Sequence, residues 1–369
     1  MKVLHLAGAM EWGGGDQQMM DLIANLSELD IQSVILCFNH SAIKAHAEKH
    51  GVSTLAVDKS KRYSSKVLRY IKEQVQQLEI DVIHIHTSNF VMTYMLADVF
   101  YKLKVPAVFS KKSISESSSL LSPVKYNYKG IKKIVCVSNA ILESFKKTIK
   151  PRNRHKLVTV YDGIRLDKKF PPVPSLRETF NLPAGITIVG NIANHYLAKD
   201  IGVFVKTANH LVNELQRKDL FFVQIGSPSP YTPEYEALVD EYNLRDSVKM
   251  MGFTPNAGSY LPQFDIFLMT SQREGLPLVI MEAFNARVPV VSTSGGGIPE
   301  AITHEENGLL SPVKDHVSLA GNIIALQADG ALKQQLVENA YKRLHEEFDS
   351  ITCARKMAGI YAEVTGNKN

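Results

Sequence analysis

Residues 271–283, SQREGLPLVIMEA, hold two glutamates, Glu274 and Glu282, eight positions apart around a Gly-Leu-Pro step. An apolar run follows the proline, so the second glutamate lies among leucine, isoleucine, methionine and alanine side chains. A charge in such a setting usually needs a partner, because burying an unpaired carboxylate is unfavourable. The apolar run supplies none, and we interpret the partner as a bound ligand.

The same stretch predicts a helix whose N-terminus faces that ligand. Pro277 suits the first helical position, where its missing N–H needs no acceptor. The amides of Leu278 and Val279 would then point toward an anion. At 100° per residue, Glu274 and Glu282 would lie about 80° apart if the helix extended that far. Both carboxylates could then face one cavity and accept hydrogen bonds from the paired hydroxyls of a ribose or a sugar ring.

Outward from this stretch, short apolar runs typical of buried strands alternate with helical patterns. The runs are ITIVGNIA, LFFVQIG, SVKMMGF, DIFLMTS and VPVVSTS in the C-terminal half, and KVLHLA, QSVILCF, STLAV, DVIHIH, PAVFS and KKIVCVS in the N-terminal half. This alternation predicts parallel sheets covered by helices on both faces. The fold class is therefore α/β, with two doubly wound, Rossmann-like domains facing each other across a cleft at the carboxyl ends of their strands.

The domain boundaries follow from one segment, DKKFPPVPS at 167–175, which continues neither element and is typical of a linker. We expect one domain over 1–167 and a second over 168–350. The amphipathic segment 351–366 predicts a helix beyond the second sheet that packs back on the first domain. A chain of 369 residues exceeds the size at which a single core stops growing, which also favours two domains.

Composition limits the compartment and the kinds of site. The N-terminal MKVLHLAGAMEW lacks the apolar core and cleavage site of a signal peptide, and no run reaches the length of a membrane span. We therefore expect a cytoplasmic protein. The cysteines lie far apart without a CxxC pair, which argues against a disulfide framework or a thiolate metal site; they are Cys37, Cys136 and Cys353.

Charge is distributed unevenly along the chain. Residues 1–170 hold 26 Lys and Arg against 15 Asp and Glu, whereas the remainder holds 16 against 22. The excess is greatest between residues 102 and 156, where 14 basic residues are opposed by Glu116 and Glu143 alone. This stretch is either a well-solvated surface or a face attracted to anionic membrane lipid or an anionic substrate. Nucleic acid is not an expected partner, because no recognised reader motif accompanies the charge.

The glycine loop GGGDQQ at 13–18 follows the first strand and opens a helix, which is the usual place for a dinucleotide phosphate. The G-x-G-x-x-G fingerprint fails at Gln18. The second strand ends at Asn39 and His40 rather than at the acid that would hold an adenosine ribose. A nicotinamide cofactor is therefore disfavoured. The loop is either a turn whose amides approach a phosphate or sugar, or a simple tight strand-to-helix turn.

Three further side chains are candidates for ligand contacts or for the core. In DVIHIHTSN, His84 lies within the apolar run and is expected to be a hydrogen-bonded core histidine. His86 lies at the carboxyl end of the strand, where a ligand would pass. A metal pair is weakly supported, since no third ligand has a suitable spacing. In VGNIANHYLAKD at 189–200, Lys199 precedes a helix and either meets a phosphate or is solvated.

With GGGIPEAI and NGLL after it, the E-x7-E element from Glu274 to Glu282 resembles the retaining glycosyltransferases of family 4, also called glycosyl transferases group 1, which have the GT-B fold. The glycine loop, DVIHIH, VSNAI, VYDGI and DIFLMTS follow in the family's order, so the resemblance covers nearly the whole chain. It implies an acceptor-side first domain and a second domain that binds a nucleotide sugar. The implied reaction moves a hexosyl or N-acetylhexosaminyl group from a UDP- or GDP-linked sugar, without a cofactor, to a glycan or lipid-linked acceptor in cell-surface polysaccharide synthesis.

The resemblance implies roles for individual residues. Glu282 is similar to the glutamate that holds the donor ribose, and Glu274 to the one beside the transferred sugar. Lys199 matches the lysine on the diphosphate, and His86 resembles a histidine near the reacting sugar. The other implied donor contacts are Gly14 and Gly15 near the diphosphate, Asn194 before the lysine, Gly252 and Phe253 near the base, Gly275 and Leu276 on the sugar hydroxyls, and Leu278 and Val279 at the helix N-terminus.

Lys111 and Lys112, after PAVFS, are candidates for contacts with an anionic acceptor, and the stretch 102–156 for contact with the membrane that carries it. Two positions depart from the family pattern. Asn194 stands where a basic residue usually precedes the lysine, and Asp162 replaces the asparagine of the common NGI turn.

No D-x-D motif occurs, so a metal bound by that motif is not expected. The alternatives are a sugar-nucleotide epimerase and a non-catalytic nucleotide-sugar sensor. The sensor remains an alternative because Asn194 stands where the family has a basic residue.

Overall fold

The short apolar runs form the strands of two parallel β-sheets in the computed structural model, which describes residues 1–113, 121–167 and 170–366. Two compact units divide the chain. The first consists of Met1–Arg165 together with the segment from Asp349 onward, and the second of Leu166–Phe348. The division after Arg165 precedes the linker-based boundary at residue 167 by two residues.

Seven parallel strands form the sheet of the first unit. They are β1 (Lys2–Ala7), β2 (Gln32–Phe38), β3 (Thr54–Val57), β4 (Val82–Ile85), β5 (Ala107–Lys111), β6 (Ile131–Cys136) and β7 (Leu157–Thr159). Their order is β3-β2-β1-β4-β5-β6-β7, so the strand order reverses between β1 and β4. Ligands of doubly wound sheets bind outside the carboxyl ends of the strands at such a reversal.

Six helices connect these strands, namely α1 (Gly14–Glu28), α2 (Ala42–Lys49), α3 (Ser65–Gln77), α4 (Ser88–Tyr101), α5 (Ser122–Lys125) and α6 (Asn139–Lys146). Serine side chains fix two of the starts: Ser64 accepts a hydrogen bond from the amide of Val67, and Ser138 from that of Ile141. Such caps satisfy amides that have no acceptor inside the helix.

Six parallel strands form the second sheet. They are β8 (Thr187–Ile192), β9 (Leu220–Ile225), β10 (Val248–Met250), β11 (Ile266–Met269), β12 (Val290–Thr293) and β13 (Leu309–Ser311). The order β10-β9-β8-β11-β12-β13 places the reversal between β8 and β11. The helices of this unit are α7 (Leu176–Thr179), α8 (Ile201–Asn209), α9 (Thr232–Glu241), α10 (Leu278–Asn285), α11 (Ile298–Ala301), α12 (His316–Ala328) and α13 (Gly330–Glu347).

The last helix, α14 (Ser350–Thr365), belongs to the first unit. Its buried side chains recur at helical spacing and join a hydrophobic cluster with Val3, Val82 and Val135 of the sheet; they include Ala354, Met357, Ile360 and Tyr361. The Tyr361 hydroxyl lies 2.7 Å from Nδ1 of His84, so a polar contact is buried within this apolar interface.

The prediction of two Rossmann-like α/β domains is confirmed. The strands missing from the sequence-based assignment are β7 and β13, which lie at sheet edges and have three residues each. The equally short β10 was identified because the apolar run SVKMMGF continues past the strand through Met251 and Phe253. Within the described ranges, no helix combines the length and the apolar character needed to cross a membrane.

Candidate active site

The reversal in the second sheet brings together two loops that are far apart in the chain. One follows β8 and ends at the short 3₁₀ turn Leu197–Lys199, and the other follows β11. The amide of Gln272 donates to the carbonyl of Ala198 at 2.8 Å, and the Thr270 hydroxyl donates to the carbonyl of Lys199 at 3.1 Å. These bonds set the spacing of the two loops before any charged side chain is considered.

Lys199 and Glu274 meet where these loops join. The Lys199 ammonium lies 2.5 Å from Oε1 of Glu274, and the two side chains are 27% and 11% exposed. The nearest charged partner of Glu274 is therefore a lysine of the protein. The expectation of a ligand partner concerned Glu282 and stays a prediction. The structure thus places two predicted site residues in direct contact.

A glycine supports the backbone of Glu274. Gly296 pairs with Glu274 in an isolated parallel bridge and has φ +66°. A Cβ atom at Gly296 would lie 2.2 Å from the Glu274 carbonyl oxygen, so any other residue would force the two segments apart. The glycine at position 296 of the run GGGIPEAI is therefore required by the close approach of the Glu274 backbone. The sequence alone showed this run only as a motif.

Helix α10 begins one residue later than predicted. Pro277 is its N-cap, and the first helical residue is Leu278. The amides of Leu278 and Val279 lie in the first turn, where helix geometry provides no acceptor within the helix. Because the helix does not extend back to Glu274, the 80° separation from Glu282 does not apply. Glu282 instead lies beside Gly258, where an added Cβ would be 3.6 Å from its Oε2.

The predicted base and sugar contacts lie in two loops of the second unit, one after β10 and one after β11. Gly275 and Leu276 are buried between Glu274 and α10. After β10, Gly252 has φ +70° and its carbonyl accepts from the amide of Gly226 at 3.0 Å. The adjacent Phe253 is 71% exposed, so its ring is available to a planar group. Glycine tolerates this left-handed conformation without strain.

Asn194 connects two loops of the second unit. Its side-chain oxygen accepts from the amide of Ser227 at 2.9 Å, which joins the loops after β8 and β9. Beneath it, the buried His195 lies 2.7 Å from both Thr232 and Gln224, and Gln224 donates to the carbonyl of Ala193. Sequence reasoning missed His195 and Gln224, because nothing in the local pattern showed that the two side chains would meet.

In the first unit, Gly14 and Gly15 form the exposed start of α1, as the strand-turn-helix pattern predicts. The Asp16 carboxylate accepts from the amide of Gly13 at 3.1 Å and closes the turn. Whether the amides of this turn approach a diphosphate remains a prediction.

The two acceptor-side lysines do not lie free on the surface. Lys111 is buried, with its ammonium 5.6 Å from the ring centre of Phe145. Lys112 contacts the carbonyl of Gly15 at 3.4 Å and the side chain of Gln18, and its ammonium lies 3.7 Å from Asp162. Burial lowers the pKa of Lys112 and raises that of Asp162, while each opposes the shift of the other. The replacement of asparagine by Asp162 thus accompanies a buried cation.

Three histidines cluster on one face of the first sheet. His5 on β1 is the register partner of His84 on β4, and His86 follows two residues later. His84 is hydrogen-bonded to Ser110 and Tyr361, each at 2.7 Å, as expected for a core histidine.

His5 bridges Ser33, at 3.2 Å, and Nε2 of His86, at 2.9 Å. Among the described residues, Nδ1 of His86 is buried and has no hydrogen-bond partner.

Burial dominates the titration of this cluster. It lowers the pKa of His5 to about 3 and those of His84 and His86 well below their usual value, and Lys112 adds to each shift. His5 supplies the third nitrogen that the sequence-based metal analysis lacked, since the three rings offer nitrogens within 4.8 Å of one another. Both nitrogens of His5 and of His84 already face hydrogen-bond partners, so the arrangement is that of neutral, hydrogen-bonded rings.

Comparison with known proteins accounts for both units. The model of Glycosyltransferase Family 4 matches residues 12–168, and that of Glycosyl transferases group 1 matches residues 174–343. The chain belongs to the group 1 glycosyltransferases of the GT-B fold. Its fold is shared with HepE of Anabaena, solved with UDP and glucose, at a TM-score of 0.84 and 20% identity over 98% of this chain and 100% of that one.

This glycosyltransferase also has curated relatives of similar length. It is 24% identical to the N-acetyl-alpha-D-glucosaminyl L-malate synthase of Bacillus anthracis, over 82% of this chain and 80% of that protein. It is 24% identical to LpsD of Rhizobium meliloti, a lipopolysaccharide core biosynthesis glycosyltransferase, over 94% of both.

The pair between Lys112 and Asp162 gives a stability prediction. Asp162→Asn removes the nearest carboxylate from a buried ammonium, and we expect it to lower the free energy of unfolding by roughly 1–3 kcal/mol. Urea unfolding followed by circular dichroism measures the loss. Lys112→Met in the same chain should restore part of it, and the exposed Asp246→Asn serves as the control. An unchanged midpoint in Asp162→Asn would show that the pair adds no stability.

The buried histidines give a pH prediction. Between pH 6.5 and the folded pKa of His5, about 3, the unfolded chain binds more protons than the folded one. The stability contribution of neutral His5 is therefore complete above pH 6.5 and is lost as the pH falls. The slope is roughly 1.4 kcal/mol per pH unit for each such histidine.

Urea titrations from pH 7 to pH 4.5 give the slope of the unfolding free energy against pH for wild type and for His5→Asn. A destabilisation that is equal at every pH does not change this slope. The variant should lose stability less steeply, and the difference should vanish between pH 7.5 and 8.5. Parallel curves across the acidic range would contradict the assignment.

Proposed function

We propose that this glycosyltransferase is a retaining, metal-independent enzyme. It transfers a hexosyl or N-acetylhexosaminyl group from a UDP- or GDP-linked sugar to a glycan or lipid-linked acceptor in cell-surface polysaccharide synthesis. The names of LpsD and of the glucosaminyl L-malate synthase support this class of reaction, and the UDP bound to HepE supports a uridine donor. The epimerase and sensor alternatives are not favoured, because the family and its named relatives are transferases.

The observation that carries the proposal is the contact between Lys199 and Glu274 at the reversal of the second sheet. In the proposed complex, Lys199 contacts the donor diphosphate together with the first-turn amides of α10. A helix N-terminus and a lysine both favour the negative charge that the diphosphate gains on leaving. These groups are already held by backbone hydrogen bonds, so little reorganisation accompanies the reaction.

The remaining donor contacts follow from their positions in the second unit. Glu274, with the amides of Gly275 and Leu276 behind it, accepts hydroxyls of the transferred sugar while its other interaction holds Lys199. Glu282, on the second turn of α10, accepts the ribose hydroxyls, and the exposed ring of Phe253 covers the base. Carboxylates suit these positions because ionised oxygens accept several hydroxyl hydrogen bonds at once.

The proposed chemistry exchanges one glycosidic bond for another. The bond between the sugar carbon and the diphosphate oxygen breaks, and the acceptor oxygen bonds to the same face of that carbon. The acceptor proton passes to the departing phosphate oxygen, so charge and atoms balance without a protein nucleophile. Lys199 and the α10 amides stabilise the leaving group in the role that a metal ion serves in other transferases.

His86, Gly14 and Gly15 of the first unit are proposed to contribute to the same reaction. Neutral His86 is partly exposed at the carboxyl end of β4, where its ring can contact the transferred sugar, whereas its Nδ1 is buried. The glycine turn presents backbone amides and no side chain, which allows close approach of a phosphate or sugar.

Nucleotide release from a panel of UDP-, GDP- and ADP-sugars tests the donor site. Wild type should release nucleotide from a uridine or guanosine donor equally with and without EDTA. Lys199→Ala removes one preorganised cation and should reduce the rate about 10²–10³-fold. Glu282→Ala should mainly raise KM, since the ribose is held alike before and during the reaction.

Two exposed residues of the same unit provide controls, Lys206→Ala for the lysine and Glu241→Ala for the glutamate. Loss of release in EDTA, with recovery on adding Mg²⁺, would refute metal independence. Full activity of Lys199→Ala would refute the proposed diphosphate contact.

A membrane contact is proposed for the first unit. Phe100, at the end of α4, is 68% exposed, and the adjacent Lys102 is exposed. Lys104, Lys129 and Lys132 line one open groove of the same unit. Exposed lysines near an exposed aromatic ring suit an anionic lipid surface, where each lysine contributes about 1 kcal/mol near the membrane.

Sedimentation with vesicles tests this contact. Wild type should bind vesicles containing phosphatidylserine and not those of phosphatidylcholine alone, and 0.5 M salt should release it. The double variant Lys104→Gln, Lys132→Gln should bind roughly tenfold or more weakly, because two lysine contributions are lost. Lys342→Gln, on the second unit, is the control. Equal binding to both kinds of vesicle, or none to either, would refute the proposal.

A further inference from the structure

An open groove of about 900 Å³ runs along the first unit between α1, the start of β2 and the end of α2. The part of α1 that lines it extends from Gln17 to Ser27, a span of about 15 Å. Polar and apolar groups alternate on its walls, for example Gln17, Ser27 and Ser53 with Met20 and Ile23. This volume lies in the range of small-molecule binding sites, and the mixed lining suits a ligand that is itself amphipathic.

Three aromatic rings form a ladder beside this groove. The ring centres of Trp12 and His46 are 4.1 Å apart at 35°, and those of His46 and His50 are 4.2 Å apart at 24°. Trp12 is 38% exposed and directly precedes the glycine turn at 13–15. His46 and His50 line the groove. We call these three residues the Trp12 ladder.

The ladder is held in place by its own helix. Nδ1 of His50 lies 2.8 Å from the carbonyl oxygen of His46, one turn earlier in α2, so the ring donates there and keeps its orientation. Burial, together with His50 and Lys49, lowers the pKa of His46, so this ring is neutral at neutral pH. Because Trp12 and His50 cover the faces of His46, only the outer faces of Trp12 and His50 can stack on a flat apolar surface.

The charges of the groove argue against an anionic ligand. Its lining holds two carboxylates, Asp21 and Asp30, and one guanidinium, Arg165. Lys112, which the sequence offered as an anion contact, is engaged with Asp162 and the start of α1. A neutral ligand with hydroxyl edges and apolar faces therefore fits best, and a chain of sugar rings has that chemistry.

We propose that the groove and the Trp12 ladder bind a neutral oligosaccharide stretch of the acceptor. Sugar faces stack on the outer faces of Trp12 and His50, which His46 holds in place between them, while side chains such as Gln17 and Ser53 contact hydroxyls. This inference rests on the proposed function, because it names the acceptor of that reaction as a neutral glycan longer than one sugar. The position of Trp12 next to the glycine turn places one end of the glycan beside the residues predicted to approach the donor.

Trp12 is the single tryptophan of the chain, so its fluorescence reports directly on the ladder. Wild type is titrated up to about 10 mM with neutral tetrasaccharides of glucose, galactose, mannose and N-acetylglucosamine, with the matching monosaccharides, and with tetragalacturonate. We expect at least one neutral tetrasaccharide to give a saturable emission change, with an affinity at least about tenfold above its monosaccharide and above tetragalacturonate.

His50→Ala and His46→Ala should each weaken this binding about fivefold or more, whereas His345→Ala, an exposed histidine of the second unit, should not. Three results would overturn the inference: no emission change with any neutral tetrasaccharide, equal or stronger binding of tetragalacturonate, or binding that survives both histidine substitutions.

The fluorescence titration contains no donor, so it is independent of nucleotide release. Release of nucleotide without tetrasaccharide binding would remove the groove and leave the proposed function standing. Tetrasaccharide binding with no release from any nucleotide sugar would leave the groove as a glycan-binding site and remove the proposed transferase function.

Discussion

The contact between Lys199 and Glu274 exists because two strands that are distant in the chain end side by side. Seventy-five positions separate the two residues, and only the adjacency of β8 and β11 brings them to 2.5 Å. Exposed lysine–glutamate pairs add little stability, because ordering two long side chains offsets most of the attraction. Here both side chains are largely covered, and hydrogen bonds from Gln272 and Thr270 to Ala198 and Lys199 join the two loops, so much of that ordering is supplied by the fold.

This constraint also shapes the proposed chemistry. A carboxylate beside Lys199, the lysine proposed to bind the diphosphate, reduces the net positive charge that a donor would meet. Asn194 adds no cation, since its side-chain oxygen is bonded to the Ser227 amide. The amides at the start of α10 carry partial positive charge and have no counterion within the helix. The proposed site therefore depends on the combination of one lysine and one helix N-terminus, each insufficient alone.

Sequence patterns predicted the strands and helices of this fold well, but they did not predict which polar side chains contact each other. Apolar runs identified eleven strands, because burial on both faces leaves a local signature, and Pro277 located the start of α10 to within one residue. The pairing of Lys199 with Glu274 left no such signature, nor did that of Lys112 with Asp162. Each depends on which strands become neighbours, and periodicity reports which residues are buried rather than which buried groups meet.

The basic stretch shows the same limit, because one run of charge divides between two environments. Lys111, the last residue of β5, is buried, and Lys112, which follows it at the carboxyl end, is in a largely covered pair with Asp162. Lys104 and Lys129 precede β5 and β6 and are therefore at the amino ends of the strands, the opposite edge of a parallel sheet. Ligands of such sheets bind at the carboxyl edge. A basic surface at the other edge can approach a membrane without crowding the acceptor, so the excess charge need not imply an anionic substrate.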